Sequence, residues 1–310
     1  ITKHNPSKML RIFLEDGRII ELTESHKVYL KAKRQIRAGK LPQEDKLMVN
    51  IYKNIEEIDI ENLSLLEIFS QRDDVMVRGV VDYLMKFEKL SKHSNYCQRD
   101  SFPVEFVIDL LRKHNKTLND LPPTARIAAK RDNVSLPIHV QLDEKLLEVL
   151  GLYISEGYSR KSSSKKGYYQ ISIAGNSNIR NFVKDVFYSH FGLRPTHENS
   201  DQVVFSSRIL FDLFTTYLNM GSRARTKRIP SIFLNLKKDK IAALLRGYFE
   251  GDGSVSASDI RVTCDTVSEG LKHDLSFVLS RFGIFTKFYE YEKEPGPKVK
   301  EFYIKKSRKI

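Results

Sequence analysis

The first part of the chain alternates between apolar and polar residues in the manner of paired strands. Two alternating runs, Met9–Glu15 and Arg18–Leu22, flank the turn-forming pair Asp16-Gly17. Such alternation is typical of half-buried strands, and Asp-Gly between two runs is a hairpin signature. The pattern therefore predicts a hairpin here and a further strand at Val28–Ala32.

Beyond residue 55 the spacing of apolar residues changes to the three-or-four-residue period of amphipathic helices. The helices predicted from this spacing are Leu63–Phe69, Val75–Leu90 and Val104–His114. Residues 115–140 contain Pro122, Pro123 and Pro137 around the basic run Arg126–Arg131, and they are typical of a linker. Residues 55–140 are thus predicted to be a mainly helical insert, either a DNA-recognition module or a spacer.

Helices and strands follow one another in a repeated order from residue 143 onward. The first series is predicted as helix, strand, helix, strand and helix, at Glu144–Ser155, Tyr169–Ile173, Asn178–Phe191, Gln202–Ser206 and Ile209–Asn219. The second series is predicted as helix, strand, helix and two strands, at Lys240–Glu250, Ile260–Cys264, Val267–Phe282, Thr286–Tyr291 and Glu301–Ile304. A repeated order of elements indicates two related halves.

One nine-residue pattern occurs twice, at Val149–Gly157 and at Leu245–Gly253. Each copy places a glycine third, an apolar pair after it, and an acid followed at once by a glycine at its end. A glycine inside a helix costs about 1 kcal/mol relative to alanine, and close approach of two helix backbones offsets that cost. The repeat therefore predicts two helices that pack together through Gly151 and Gly247.

Each copy of the pattern delivers one carboxylate, from Glu156 in the first and Asp252 in the second. Helices packed side by side bring these carboxylates together, and two like charges at short range call for a cation. Oxygen ligands completed by water and phosphate suit Mg²⁺, which can act on a phosphodiester. A single copy would be better interpreted as an ordinary buried helix, but two copies favour a catalytic metal site.

Charge is unevenly distributed along the chain, whose net charge is +13. Residues 160–240 contain 15 Lys and Arg against 5 Asp and Glu. A concentrated basic field is expected of a protein that binds a phosphate backbone, although a generally basic surface is the alternative. The candidate DNA-contacting residues are Arg160, Lys161, Lys165, Lys166, Arg223, Arg225 and Arg228.

The cysteine content and the apolar runs exclude several other classes of protein. Cys97 and Cys264 form neither a zinc motif nor a disulfide framework, which favours a reducing, cytoplasmic setting. No apolar run approaches the length of about 18 residues that a membrane span needs. We therefore expect no membrane partner.

The two copies of the pattern resemble the motifs of LAGLIDADG (dodecapeptide) homing endonucleases in their single-chain form, over roughly residues 140–310. The second copy matches closely, whereas the first has Glu156 where Asp is commoner. The resemblance implies an α+β fold with a pseudo-twofold αββαββα arrangement in a monomer. It also implies a Mg²⁺ site at both acids and the glycines after them, Gly157 and Gly253. The partner implied is double-stranded DNA with a long asymmetric target, and both strands are cut.

The block Thr226-Lys227-Arg228-Ile229-Pro230 resembles the Lys-x-Ile-Pro block of the intein-borne members. In that family the lysine lies near the scissile phosphate, which makes Lys227 a catalytic candidate; a solvated basic loop is the alternative. A second lysine at the same spacing from Asp252 would fall beyond the last residue. The second half is therefore expected to be truncated.

The segment Asp16–Val28 resembles the intein block in which Gly-Arg precedes Thr-x-x-His. Thr23 and His26 match that block, and in the family they lie beside the N-terminal splice junction. The resemblance implies part of an all-β Hint splicing domain and a host extein, for which an archaeal replication enzyme is our expectation. The chain begins Ile1-Thr2 and ends in Ile310 without splice nucleophiles, so we expect an internal fragment of a parent that splices.

These observations combine into four predicted segments and one leading function. The segments are a partial Hint domain at 1–54, the insert at 55–140, and two endonuclease subdomains at 141–235 and 236–310. The leading function is an intein-encoded homing endonuclease. An RNA-splicing maturase and a catalytically dead DNA-binding protein on the same fold are the alternatives, and retention of both acids favours the nuclease.

Overall fold

The computed structural model describes residues 9–31, 34–43, 46–48, 55–91, 94–162, 167–256 and 261–290. The chain divides into a smaller unit, residues 1–53 and 283–310, and a larger unit, residues 54–282. The four predicted segments remain a prediction. In the described part of the chain, every helix is too short or too polar to span a membrane.

The smaller unit contains two antiparallel hairpins. Their strands are β1 (Met9–Phe13), β2 (Ile19–Thr23), β3 (Lys27–Tyr29) and β4 (Gln35–Arg37). The first hairpin turns at Gly17, whose φ of +81° suits glycine because it carries no Cβ. The predicted hairpin is therefore present, while its assignment to a Hint domain stays a prediction.

The region from 55 to 140 is built around a four-stranded antiparallel sheet in the order β7-β6-β8-β9. Its elements are β5 (Asn62–Ser64), α1 (Leu65–Ile68), β6 (Val75–Arg78), α2 (Val81–Leu84), α3 (Asn95–Gln98), β7 (Ser101–Pro103), α4 (Val104–Lys113), β8 (Arg126–Ala129), β9 (Leu136–Pro137) and β10 (His139–Gln141). The predicted helix at Val75–Leu90 is wrong in its first part, which is strand β6, whereas α4 confirms the helix predicted at Val104–His114. Val75, Met76 and Val77 are all buried, and a short strand buried on both faces has no alternation to distinguish it from a helix.

The predicted linker is also part of this sheet, since β8 lies between β6 and β9. Ile127, Ala128 and Ala129 are buried, and Arg126 donates to the backbone oxygens of Ser135 and Phe191. Only Lys130 and Arg131 of the basic run are exposed. The run therefore builds the core rather than a surface that follows phosphates.

The next segment has the element order helix, two strands, helix, two strands and helix. Its elements are α5 (Glu144–Glu156), β11 (Gly157–Lys161), β12 (Tyr169–Ala174), α6 (Ser177–Phe191), β13 (His197–Glu198), β14 (Gln202–Ser206) and α7 (Arg208–Asp212), which continues as a π-helix over Leu213–Tyr217. The strands form an antiparallel sheet in the order β11-β12-β14-β13. The Asn176 side chain caps α6 by accepting from the N–H groups of Asn178 and Ile179, and Gly192 ends α6 in the left-handed conformation.

The second series repeats the beginning of this order. It comprises α8 (Lys238–Asp252), β15 (Gly253–Ser256), β16 (Arg261–Cys264) and α9 (Glu269–Arg281). Residues 286–290 form no strand, contrary to the prediction of a strand at Thr286–Tyr291, and the Phe288 N–H donates to the Asp16 carbonyl oxygen at 2.7 Å. The predicted strand at Glu301–Ile304 lies outside the described residues. The pseudo-twofold relation of the halves stays a prediction.

One apolar core runs through the larger unit from Leu63 to Val278. Ion pairs reinforce it, as where Arg72 bonds Asp74 and also Asp212 on α7. The two ends of this unit are tied together as well, because the buried Arg281 donates to Glu57 at 3.0 Å. The region from 55 to 140 is thus packed on the segment that follows it.

Candidate active site

Helices α5 and α8 are in backbone contact at their glycines. A Cβ atom added to Gly151 would lie 2.1 Å from the carbonyl oxygen of Leu244. One added to Gly247 would lie 1.9 Å from the carbonyl oxygen of Glu148. Both distances are far inside van der Waals contact, so only glycine allows this approach. The packing predicted from the repeat is therefore present.

The carboxylates that end the two helices share one partly buried place. Glu156 is the last residue of α5, and Asp252 is the last residue of α8. A Cβ on Gly251 would lie 2.8 Å from Cγ of Glu156, which shows how closely the two helix ends meet. Burial, followed by the charges of Glu156 and Asp265, raises the pKa of Asp252 to about 6. The site carries excess negative charge that a cation would neutralise.

Lys227 lies inside the protein beside this carboxylate pair. Its side chain is 2% exposed, and Nζ donates to the carbonyl oxygen of Tyr153 at 2.5 Å. The same Nζ lies 3.5 Å from the centre of the Tyr153 ring. Burial lowers the pKa of Lys227 to about 7, and the charge of Asp252 opposes that shift. The alternative of a solvated basic loop does not fit a buried side chain.

The glycines that follow the two acids begin strands rather than loops. Gly157 starts β11 opposite Ile173, and Gly253 starts β15 opposite Cys264. A Cβ on Gly157 would lie 2.3 Å from the Tyr153 ring, and one on Gly253 would lie 2.2 Å from the Phe249 oxygen. Because these glycines lack a Cβ, each strand can begin directly after the last residue of its helix. Their role in holding metal stays a prediction.

Asp265 is a third acid at the site that the sequence pattern did not reveal. It follows β16, and its charge is among the causes of the raised pKa of Asp252. Ala174 occupies the matching place in the first half, since Ile173 pairs with Gly157 as Cys264 pairs with Gly253. The repeat therefore gave no signal for Asp265. Only the strand register, which pairs Gly253 with Cys264, places Asp265 at the site.

No group of three or more His, Cys, Asp and Glu side chains in the described part of the chain is arranged to hold a metal unaided. A cation at Glu156 and Asp252 would therefore need further ligands from water or from a bound phosphate. Carboxylate oxygens in a partly buried, negatively charged pair suit Mg²⁺, which usually keeps several waters and binds substrate phosphates. The residues present fit the predicted metal.

Residues 239–308, which include α8 and Asp252, match the family model of the LAGLIDADG-like domain. The chain carries a LAGLIDADG domain. The family predicted from the repeated pattern is thereby confirmed.

Two curated proteins and one solved structure show the range of similarity. The DNA polymerase II large subunit of Thermococcus kodakarensis is 33% identical over 89% of this chain and 16% of its own length. The DNA-directed RNA polymerase subunit Rpo1C of Methanocaldococcus jannaschii is 31% identical over 52% of this chain and 18% of its own. The chain therefore spans less than a fifth of either relative. The crystal structure of I-DmoI in complex with DNA and Mn covers 49% of this chain and 84% of its own, with 13% identity and a TM-score of 0.37.

The predicted DNA-contacting residues fall into three groups. Arg160 and Lys161 on β11 are exposed, and Arg223 and Arg225 are exposed on the turn before Lys227. Arg228 instead forms a bidentate ion pair with the buried Asp274, at 2.6 and 2.8 Å, so its charge is already neutralised. Lys165 and Lys166 lie outside the described residues.

The two residues of the predicted splicing block lie close together in the smaller unit. Thr23 ends β2, and its hydroxyl lies 3.2 Å from that of Ser25. The backbone N–H of His26 donates to the Thr23 oxygen at 3.0 Å, and the imidazole is exposed. The turn thus brings Thr23 and His26 together, while their part in splicing stays a prediction.

Proposed function

We propose that this chain is the endonuclease part of an intein and that it cuts both strands of duplex DNA at the intein's insertion site. The observation that carries the proposal is the meeting of Glu156 and Asp252 at the ends of two glycine-packed helices, with Lys227 buried beside them. The match to the LAGLIDADG-like domain supports the same conclusion.

Glu156 and Asp252 would hold the Mg²⁺ ion in this proposal. When bound, the ion supplies a Lewis acid for the phosphodiester and lowers the pKa of a bound water. The two carboxylates fix its place because each is the last residue of a helix that cannot shift without separating Gly151 from Gly247. Gly157 and Gly253 contribute by allowing the strands to turn away from the site.

Lys227 would move or hold a proton beside the reacting phosphate. Its pKa of about 7 means that Nζ can both accept and release a proton near neutral pH, as a general acid or base must. The Tyr153 carbonyl holds Nζ in place, and its ring covers it. In its charged form the ammonium would also offset negative charge that develops on the phosphate.

The two curated relatives support an inserted element. One is named a DNA polymerase subunit and the other an RNA polymerase subunit, yet each shares with this chain a stretch that is less than a fifth of its length. The matched shares of this chain, 89% and 52%, necessarily overlap. A segment common to two different enzymes is expected of a mobile insert. We propose a polymerase as the host extein and Thr23 and His26 as splicing residues of the intact parent.

The DNA partner would be a long asymmetric duplex contacted by one copy of the chain. The exposed cations Arg160, Lys161, Arg223 and Arg225 provide the charge for phosphate contacts. Outside the repeated nine-residue pattern the two halves differ in sequence, so a single chain would present two different faces to the duplex. A symmetrical target would not match them.

The deciding experiment is cleavage of a plasmid that carries the host coding sequence with the intein removed, in the presence of Mg²⁺. We expect a double-strand cut that disappears in the Asp252→Asn variant, while duplex binding in EDTA changes only a few-fold. Glu250→Gln is the matched control, because Glu250 is an exposed acid on the same helix. If the Asp252→Asn variant cut the plasmid, the metal site would be contradicted. If the unmutated chain bound the DNA without cutting it, the maturase or the inactive alternative would be favoured.

A further inference from the structure

A short turn precedes Lys227 and carries two exposed arginines. This turn, residues 221–227, begins at Gly221 with a φ of +75° and contains a 3-10 helix at Ala224–Thr226. A Cβ on Gly221 would lie 2.0 Å from the Thr226 carbonyl oxygen. The chain therefore closes on itself more tightly here than any residue other than glycine would permit.

The hydroxyl of Thr226 lies at the centre of the turn. It accepts hydrogen bonds from the backbone N–H groups of Ser222 at 3.1 Å and Arg223 at 3.2 Å. It also lies 2.9 Å from the Arg223 carbonyl oxygen, to which it donates. One side chain thus connects both sides of the turn, and removing it would leave two N–H groups without this partner.

The turn is fastened to the candidate active site at three points. The Tyr153 hydroxyl on α5 donates to the Gly221 oxygen at 2.8 Å, and the Ser159 N–H on β11 donates to the Ser222 oxygen at 3.1 Å. At its other end the Ser268 hydroxyl donates to the Lys227 oxygen at 2.7 Å. The turn therefore has a fixed position relative to the acid-bearing helix α5 rather than that of a loose surface loop.

The arginines of the turn differ from the next one along the chain. Arg228 is held by Asp274, whereas no carboxylate of the described residues makes an ion pair with Arg223 or Arg225. Arg223 and Arg225 are both exposed, whereas the side chain of Lys227, which directly precedes Arg228, points into the protein. An unpaired guanidinium on a rigid backbone is suited to a phosphate, which it can bind through two parallel N–H groups.

We propose that Thr226 is a positioning residue that orders this turn so that Arg223 and Arg225 clamp the phosphate backbone next to the reacting phosphodiester. The inference rests on the proposed function, since it needs a duplex at the Glu156 and Asp252 pair. Thr226 itself contacts no DNA. It acts by removing in advance the freedom that the two arginines would otherwise lose on binding.

The test is the salt dependence of binding to a fluorescein-labelled 40-base-pair duplex that spans the host junction, measured in EDTA. The slope of log K against log salt concentration becomes shallower by about 0.9 for each phosphate that the protein no longer neutralises. We expect Arg223→Gln combined with Arg225→Gln to reduce the slope by about 1.8. Thr226→Val should reduce it by about 1 and weaken binding about tenfold, whereas Thr226→Ser, which keeps the hydroxyl, should match the parent.

Measuring Thr226→Val with and without the two arginines distinguishes a positioning role of Thr226 from general damage to the fold. In the variant that lacks both arginines, Thr226→Val should change neither the slope nor the affinity, because nothing remains for it to position. An equal reduction in both backgrounds would overturn the inference, as would a Thr226→Val protein with the full slope. If the parent still cuts the host junction in those cases, the proposed function stands. A parent that neither binds nor cuts overturns both.

Discussion

The two series that carry Glu156 and Asp252 begin with the same order of elements but surround their acids with different chemistry. In the first half Glu156 follows Tyr153, whose carbonyl oxygen binds the buried Lys227, and Ala174 ends the second strand. The second half has Asp252, with Phe249 in place of the tyrosine and Asp265 in place of the alanine. The backbone packing is thus repeated and the electrostatics are not. Two strands of DNA bound across such a site would meet unequal surroundings.

Among the described residues only the first half supplies a buried lysine, Lys227, and its removal should have the largest effect on cleavage. Lys227→Met keeps the buried volume and removes the proton and the charge. We expect DNA cleavage to fall by about 10²- to 10⁴-fold, because a positioned acid or base contributes on that scale. Single-turnover cleavage followed strand by strand is the measurement. Duplex binding should change only a few-fold.

Lys238→Met is the matched control, since Lys238 is an exposed lysine at the start of α8. Its variant should cut like the parent. If Lys227→Met slows neither strand, the buried lysine is structural. If it slows one strand more than the other, the inequality of the halves has a direct kinetic counterpart.

One added methyl group should disrupt the packing of α5 on α8 to which both halves contribute. Gly247→Ala would place Cβ 1.9 Å from the Glu148 carbonyl, a backbone atom that cannot move aside. We expect the free energy of unfolding to fall by about 3 kcal/mol, a typical cost of overpacking, as measured by urea denaturation. Gly39→Ala is the control, because Gly39 is exposed and its Cβ would lie 3.1 Å from the nearest atom, the Cβ of Glu24. Equal destabilisation by the two variants would contradict the helix contact.

The free energy of unfolding should change least when Asp252 is replaced in the absence of metal. The pKa of this carboxyl is raised from its ordinary 3.8 to about 6, so the folded protein binds a proton that the unfolded chain has released between those values. Stability therefore decreases as the pH rises through that window, and the penalty is complete above about pH 6. In EDTA at pH 7, Asp252→Asn should be more stable than the parent by about 1 kcal/mol, allowing for its partial exposure.

The pH profile of the difference provides the check. Thermal unfolding of both proteins from pH 4 to pH 7 should show the advantage of Asp252→Asn vanishing at the acidic end. Glu250→Gln, on the exposed side of the same helix, should show no such profile. An advantage that is independent of pH would contradict the electrostatic origin.

The sequence predicted those features that repeat or that depend on local pattern. The hairpin at Gly17, the glycine-packed helices and the two acids all follow from spacing along the chain. The sheet of residues 55–140 was missed because its short strands are buried on both faces and carry no alternation. Burial of Lys227 and proximity of Asp265 depend on strand register and on distant backbone contacts. Neither feature can be predicted from the residues that lie next to it in the sequence.

The ion pair between Glu57 and the buried Arg281 has a consequence for how this protein is assembled. Those residues lie near the two ends of the larger unit, so the chain leaves that unit close to where it entered. The entropic cost of closing a flexible loop grows with the length of that loop. Here the folding of the larger unit itself brings its two ends together. The smaller unit, whose residues lie on both sides of the insertion, therefore gives up little conformational freedom to carry it. In general, a domain whose two ends lie close together can be inserted into a surface loop of another fold with little disturbance to that fold.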